Sequence, residues 1–139
     1  MNFERKCSME NFQRYIKVAD VTGVRINEPP YDRDVFLLAS PLIARRSSGF
    51  AVGISVIEPG KVHEVHQHEA EETVFILSGR GEMEVNGNER IPLEPETVVV
   101  LRSNEPHGIR NLGNEPLRCL WIYAPSGSEA KFVVKGNDS

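Results

Sequence analysis

Gly60-Lys61-Val62-His63-Glu64-Val65-His66-Gln67-His68-Glu69-Ala70-Glu71-Glu72, running on through Thr73-Val74-Phe75-Ile76-Leu77-Ser78 to Gly79, decides how this chain is read. Three of the four histidines sit in this stretch, and the fourth is His107. In a strand, side chains at i and i+2 point the same way, so His66 and His68 project to one face about 7 Å apart. Two imidazoles side by side in a sheet interior are awkward to bury unless something binds them, and a divalent cation does so well. Glu72 opens the next strand and can turn back towards the same face. His107 lies beyond a further apolar strand, beside Pro106, which stiffens its loop. Together these residues predict a three-His, one-carboxylate site with room for water or substrate, the open arrangement of catalytic metals.

The same alternation sorts the neighbours. It places His63 on the opposite face, at the rim or surface. Glu64 shares the parity of His66 and His68 one step further out, where it supports a ligand, acts as a general base, or is simply a solvated carboxylate. His63-Glu64 also begins like the helical zinc-protease signature, but Gln67 stands where the second histidine is needed and the surroundings read as strand.

Working outward, short apolar runs alternate with turn residues. Val35 to Ala39, Phe50 to Ile57, Thr73 to Leu77 and Gly81 to Val85 read as strands. Asn86-Gly87 then marks a tight hairpin turn answered by Arg90 to Leu93. Thr97 to Leu101 is nearly continuous and apolar, which predicts a strand covered on both faces. Ile109 and Leu117 to Ala124 complete about eight or nine strands, the pattern of an all-β sandwich or barrel. Met9 to Ala19 is either a helix or an extended arm, and Asn27 to Tyr31 is a loop. Near the end, Phe132 to Val134 either pairs as an edge strand or frays. The expected organisation is an N-terminal arm over residues 1–48, a barrel core over 49–125 and a C-terminal edge segment over 126–139.

The 139 residues are 40% hydrophobic and 26% charged, a length that fits one domain. Sixteen Lys+Arg against twenty Asp+Glu leave a net charge of −4, which carries no footprint for nucleic acid. No window is apolar for the ~18 residues a membrane helix needs, and no secretory signal is evident at the start. Cys7 and Cys119 could bridge, but unpaired thiols in a reducing cytoplasm are the simpler reading.

The spacing resembles that of the cupin superfamily. The first cupin motif is Gly, five residues, His-x-His, three or four residues, Glu, six residues, Gly, and it stands complete as Gly60, His66-Gln67-His68, Glu72 and Gly79. Of the second motif only the end survives, as His107 and Asn111, while Glu96, Arg102 and Asn104 hold the places of its Gly, Pro and Gly. Asn104 can adopt the left-handed conformation that the missing glycine would supply. Arg102 either binds an anionic substrate at the barrel mouth or is solvated. The resemblance extends over about Val52 to Ala124. It implies a double-stranded β-helix, or jelly-roll, barrel with an N-terminal extension. It also implies metal binding by His66, His68, Glu72 and His107, turn glycines at Gly60 and Gly79, and a structural Asn111.

Nitrogen and carboxylate ligands admit one divalent transition metal, whether iron, manganese, nickel, copper or zinc. The expected function is a metal-dependent enzyme of dioxygenase, isomerase, lyase or cyclase type acting on a small organic molecule, with Glu64 and Arg102 as candidate catalytic residues. The alternative is a non-catalytic sensor or binding module for a sugar or organic acid. Trp121 and Tyr123 share one face of the last strand and either line the pocket or pack the barrel against its N-terminal segment. Small cupins are similar in forming dimers through N-terminal strands, which implies a homodimer that binds neither nucleic acid nor membrane.

Overall fold

The computed structural model describes residues 11–134, and its architecture follows from short β-branched and aromatic runs separated by turn residues. Ten strands form among the described residues: β1 (Val24–Ile26), β2 (Arg33–Ala39), β3 (Ala51–Ile57), β4 (Val62–His66), β5 (Glu71–Ser78), β6 (Gly81–Val85), β7 (Glu89–Leu93), β8 (Val98–Leu101), β9 (His107–Asn111) and β10 (Leu117–Ala124). They build a six-stranded sheet, β1-β2-β3-β10-β5-β8, and a four-stranded sheet, β4-β9-β6-β7. Every pairing is antiparallel. This is the all-β jelly-roll barrel that the motif spacing implies.

Alternation along the strands decides which face is inside. On β10, Leu117, Cys119, Trp121 and Tyr123 are buried while Ile122 and Ala124 are exposed. Met83 and Ile109 from the smaller sheet join Ile76, Val74 and Leu117 from the larger one in a single apolar cluster. Each such side chain taken fully from water is worth about 1.5–3 kcal/mol. Asn86 and Gly87 both take positive φ, at 56° and 77°, as a two-residue turn between β6 and β7 requires.

One glycine fixes the aromatic floor of the barrel. A Cβ on Gly53 would lie 2.1 Å from the Trp121 ring, so the indole lies flat across β3 only because that position is bare. The Trp121 Nε1–H then donates to Ser55 Oγ at 3.0 Å, which satisfies the buried ring nitrogen.

Three features depart from expectation, and a fourth decides between two alternatives. β8 is an edge strand, and Val98 and Val100 are 58% and 67% exposed, so its outer face is open rather than covered. A continuous apolar run does not distinguish a buried strand from an edge with an apolar outer face. Residues 11–17 are irregular and lead into a single 3-10 turn at Val18–Asp20, so the described part of the helix candidate is extended. Its β-branched and aromatic residues favour that state. The three-residue β1 carries no sequence signal of its own and pairs with β2. Phe132 neither pairs as a strand nor frays, but is buried at the end of the 3-10 turn Ala130–Phe132.

β2 also hydrogen-bonds to β3 and sends Val35 and Leu37 into the core, so residues of the N-terminal arm form part of the barrel wall. Cys119 is a buried free thiol, while Cys7 lies outside the described residues.

Candidate metal centre

Both sheets contribute to the cluster. β4 ends at His66, the following loop carries His68, β5 of the opposite sheet begins with Glu71 and Glu72, and β9 begins at His107. His66 and His107 are cross-strand partners, which sets their rings 4.4 Å apart. Donor atoms of His66, His68, Glu72 and His107 all lie within 4.8 Å of one another.

Backbone carbonyls set the state of each ring. His66 Nδ1 lies 3.2 Å from the Glu64 carbonyl, His68 Nδ1 2.9 Å from that of Ala70, and His107 Nδ1 2.8 Å from that of Glu105. A carbonyl only accepts, so each Nδ1 is the protonated donor and each Nε2 of a neutral ring presents a lone pair. Two of those nitrogens face one oxygen: His68 Nε2 and His107 Nε2 stand 3.1 Å and 3.2 Å from Glu72 Oε1. Lone pairs at that separation repel unless a proton or a cation lies among them. Ligands bound at about 2.1 Å and at right angles to one another would stand about 3.0 Å apart. The donor set therefore fits a divalent transition metal held by His66, His68, Glu72 and His107.

The Glu72 carboxyl is held in its charged form. Burial opposes a charge on Glu72, but hydrogen bonds and charge from His107 and His68 outweigh it and bring the carboxyl down to about 2. Burial likewise opposes charge on His107, and contact with Glu72 overcomes it, so His107 is raised. Burial, then repulsion from His107, brings His66 down to about 4.

Two loops hold this arrangement. Asn104 takes φ +60°, and its N–H donates to the His68 carbonyl at 2.8 Å, tying the turn before His107 to the loop that carries His68. Asn111 is buried and serves three backbone groups: its Nδ2 donates to the carbonyls of Ile57 and Glu115, and its Oδ1 accepts from Gly113 N–H. Gly60 and Gly79 both take positive φ, at 80° and 90°.

His63 does not face outward. The pairing of β4 with β9 shifts between His63, opposite Ile109, and His66, opposite His107, so three residues on one strand answer two on the other. That bulge breaks the alternation and turns both rings inward, stacked at 4.3 Å. Both point Nδ1 at the Glu64 carbonyl, and burial holds His63 well below its usual range.

Glu64 is half-exposed, and its carboxylate pairs with Arg33 at 3.2 Å. The structure does not bring Arg102 to the cluster. It sits exposed in the turn before β9, where its backbone N–H donates to Glu105 Oε1.

Trp121 and Tyr123 do line the interior, stacked at 4.4 Å, with Tyr123 4.8 Å from the His68 ring. Around them lie Arg33, Ser55, Cys119 and Phe132, none of which a motif marks. Only parity hints at Arg33, which stands two residues before the inward Val35. The free space they enclose is about 20 Å³, room for one water-sized guest. Burial pushes the Cys119 thiol up to about 12 and also raises the Tyr123 phenol, so both remain neutral.

Comparison with known proteins is consistent with this geometry. The family profile described as Cupin domain matches residues 53–123. L-ectoine synthase of Vibrio campbellii is 32% identical over 84 residues, 60% of this chain and 66% of that protein. The polyketide synthase CurC of Streptomyces cyaneus is 31% identical over 108 residues, 76% of this chain and 69% of its own. The structure of the polyketide cyclase RemF from Streptomyces resistomycificus superposes with a TM-score of 0.70 at 17% identity, covering 81% of this chain and 80% of that one. The match to the ectoine synthases thus spans just under two thirds of their length.

Proposed function

Because the chain belongs to the cupin family, we propose that it is an enzyme acting on a small organic molecule at one divalent transition metal held by His66, His68, Glu72 and His107. The observation that carries this reading is the set of three Nδ1–H groups given to the carbonyls of Glu64, Ala70 and Glu105, which leaves three Nε2 lone pairs beside one carboxylate. When bound, such a metal supplies Lewis acidity to substrate oxygens. The synthase names of the two curated relatives support an enzyme, whose reaction falls among the dioxygenase, isomerase, lyase and cyclase types.

This chain's own residues then have separate tasks. Ala70 and Glu105 orient His68 and His107 through their carbonyls, and Glu64 holds His63 and His66 together with one carbonyl. This gives Glu64 a positioning role, while its carboxylate pairs with Arg33. Neutral Cys119 and Tyr123 leave the interior without a thiolate or phenolate nucleophile. Trp121, Tyr123 and Phe132 supply its aromatic lining.

Elemental analysis of protein purified without added metal tests the reading. About one equivalent per chain is expected, with near-complete loss in His66→Ala and His107→Ala while circular dichroism stays β-type. Unchanged metal content in both variants would overturn the ligand assignment. Oxygen uptake on adding diketones, phenols or hydroxy acids would select the dioxygenase type instead. Saturable binding of such molecules without turnover would select the non-catalytic module.

We also propose a homodimer that covers the outer face of β8. Val98 and Val100 on β8 and Ile122 on β10, in register across Thr73 of the intervening β5, are exposed there, and the edge of β8 is unpaired among the described residues. Light scattering at micromolar concentration would show two chains per particle, and a monomer would end this proposal.

A further inference from the structure

Arginine is costly to bury, and its five N–H donors demand partners when water is excluded. Arg33 stands at the start of β2 with the inward parity of Val35 and Leu37, and only 5% of it is exposed. Its Nη1 donates to the Tyr31 carbonyl at 3.0 Å, and its Nη2 lies 3.2 Å from Glu64 Oε1. Its Nε is buried without a partner among the described residues. Nearly all buried polar groups in folded proteins are paired, so an orphan N–H on a permanent cation calls for a missing acceptor.

The position of the guanidinium suggests what that acceptor is. Arg33 lines the same small cavity as His63, His66, Glu72 and His107, with Trp121 and Tyr123 beside it. Among the described residues Glu64 is the one acid in contact with Arg33, and its side chain is 38% exposed, so that partner is shared with solvent. The Nε–H itself has no anion among the described residues. Glu72, the carboxylate that lines the cavity, is engaged with His68 and His107.

We propose that Arg33 anchors the carboxylate of a small substrate through its Nε–H, drawing that group into the narrow cavity it shares with the His/Glu cluster. This deepens the proposed function and rests on the cluster being the reacting centre. A planar guanidinium edge matches a carboxylate in a way a compact ammonium does not. The substrate class is thus a small organic acid, and Arg33, rather than Arg102, determines specificity for it.

Titration of the metal-loaded protein with acetate at fixed ionic strength tests the assignment. The reporter is the fluorescence of Trp121, the single tryptophan, which lines the cavity. Acetate should give a saturable change and neutral acetamide none. Arg33→Met should weaken acetate about 10- to 100-fold, with metal content and the thermal midpoint measured alongside. Arg33→Lys should recover only part of the loss. Glu64→Gln, which removes the competing carboxylate, should tighten acetate several-fold, and it serves as the second test if Arg33→Met fails to fold.

Equal acetate affinity in wild type and folded Arg33→Met would overturn the anchor, as would the absence of a saturable response in wild type or an unchanged affinity in Glu64→Gln. Elemental analysis separates this from the metal reading. Acetate binding that needs Arg33 in protein without metal keeps the anchor and removes the metal centre. Stoichiometric metal with Arg33-independent acetate binding does the reverse.

Discussion

Two parts of the barrel solve the same backbone problem with different residues. Around the first motif, the chain reverses at Gly60 and Gly79, with φ of +80° and +90°. Around the second, Glu96 and Asn104 reverse it at φ of +67° and +60°, without glycine. The left-handed conformation costs an ordinary residue about 1–2 kcal/mol, so the second region keeps its shape only because other bonds enforce it. They are visible: Glu96 N–H donates to the Ile76 carbonyl at 2.8 Å, and Asn104 N–H to that of His68 at 2.8 Å. The comparison shows that the fold requires a conformation at these points, and glycine is one of several ways to reach it.

Substitution can break that equivalence, most strongly at Gly79. A Cβ there would lie 2.5 Å from the Pro116 carbonyl oxygen, on a backbone already at φ +90°. Gly79→Ala is expected to destabilise by about 3 kcal/mol, read as a shift in the urea midpoint, because both strain and a backbone collision must be relieved. Asn111→Ala comes next. It leaves the carbonyls of Ile57 and Glu115 and the Gly113 N–H without their side-chain partner, and a loss of about 2 kcal/mol is expected by the same measurement.

Smaller effects sharpen the contrast. Glu96→Gly should stabilise by about 0.5–1 kcal/mol, since relief of the left-handed strain exceeds the added chain entropy. A differential scanning measurement showing destabilisation would mean that the Glu96 side chain contributes more than its backbone costs. Gly60→Asn should change stability by less than about 1 kcal/mol, because nothing lies within 4 Å of a Cβ there and asparagine tolerates the conformation. A large loss would show that Gly60 is needed for more than its φ.

The His/Glu cluster is legible because its residues are separated by counts that a β-barrel fixes. His66-x-His68, Glu72 and His107 meet as their spacing implies. The hairpin at Asn86-Gly87 was legible because that dipeptide favours positive φ at both positions. The inward turn of His63 is hidden from the sequence because a bulge adds one residue, and a period of two cannot register an odd step. The open face at Val98 and Val100 is hidden because hydropathy does not tell an edge strand from a covered one. Arg33 carries no signal because a charged residue at a strand end reads as solvated until the folded strand turns it inward. Phe132 follows a turn and a polar stretch, and only the folded chain reveals what it packs against.

That last segment has a consequence for what the protein can accept. Glu129 is fully buried, receiving the Ser40 hydroxyl at 2.5 Å and the Gly127 N–H at 2.6 Å, and it thereby latches the tail so that Phe132 caps the interior beside Trp121. The dimensions of an admissible guest are thus set by a short appendage outside the strands. A lineage could refit this vessel for bulkier molecules by recutting its stopper, leaving the gripping end and the walls as they are.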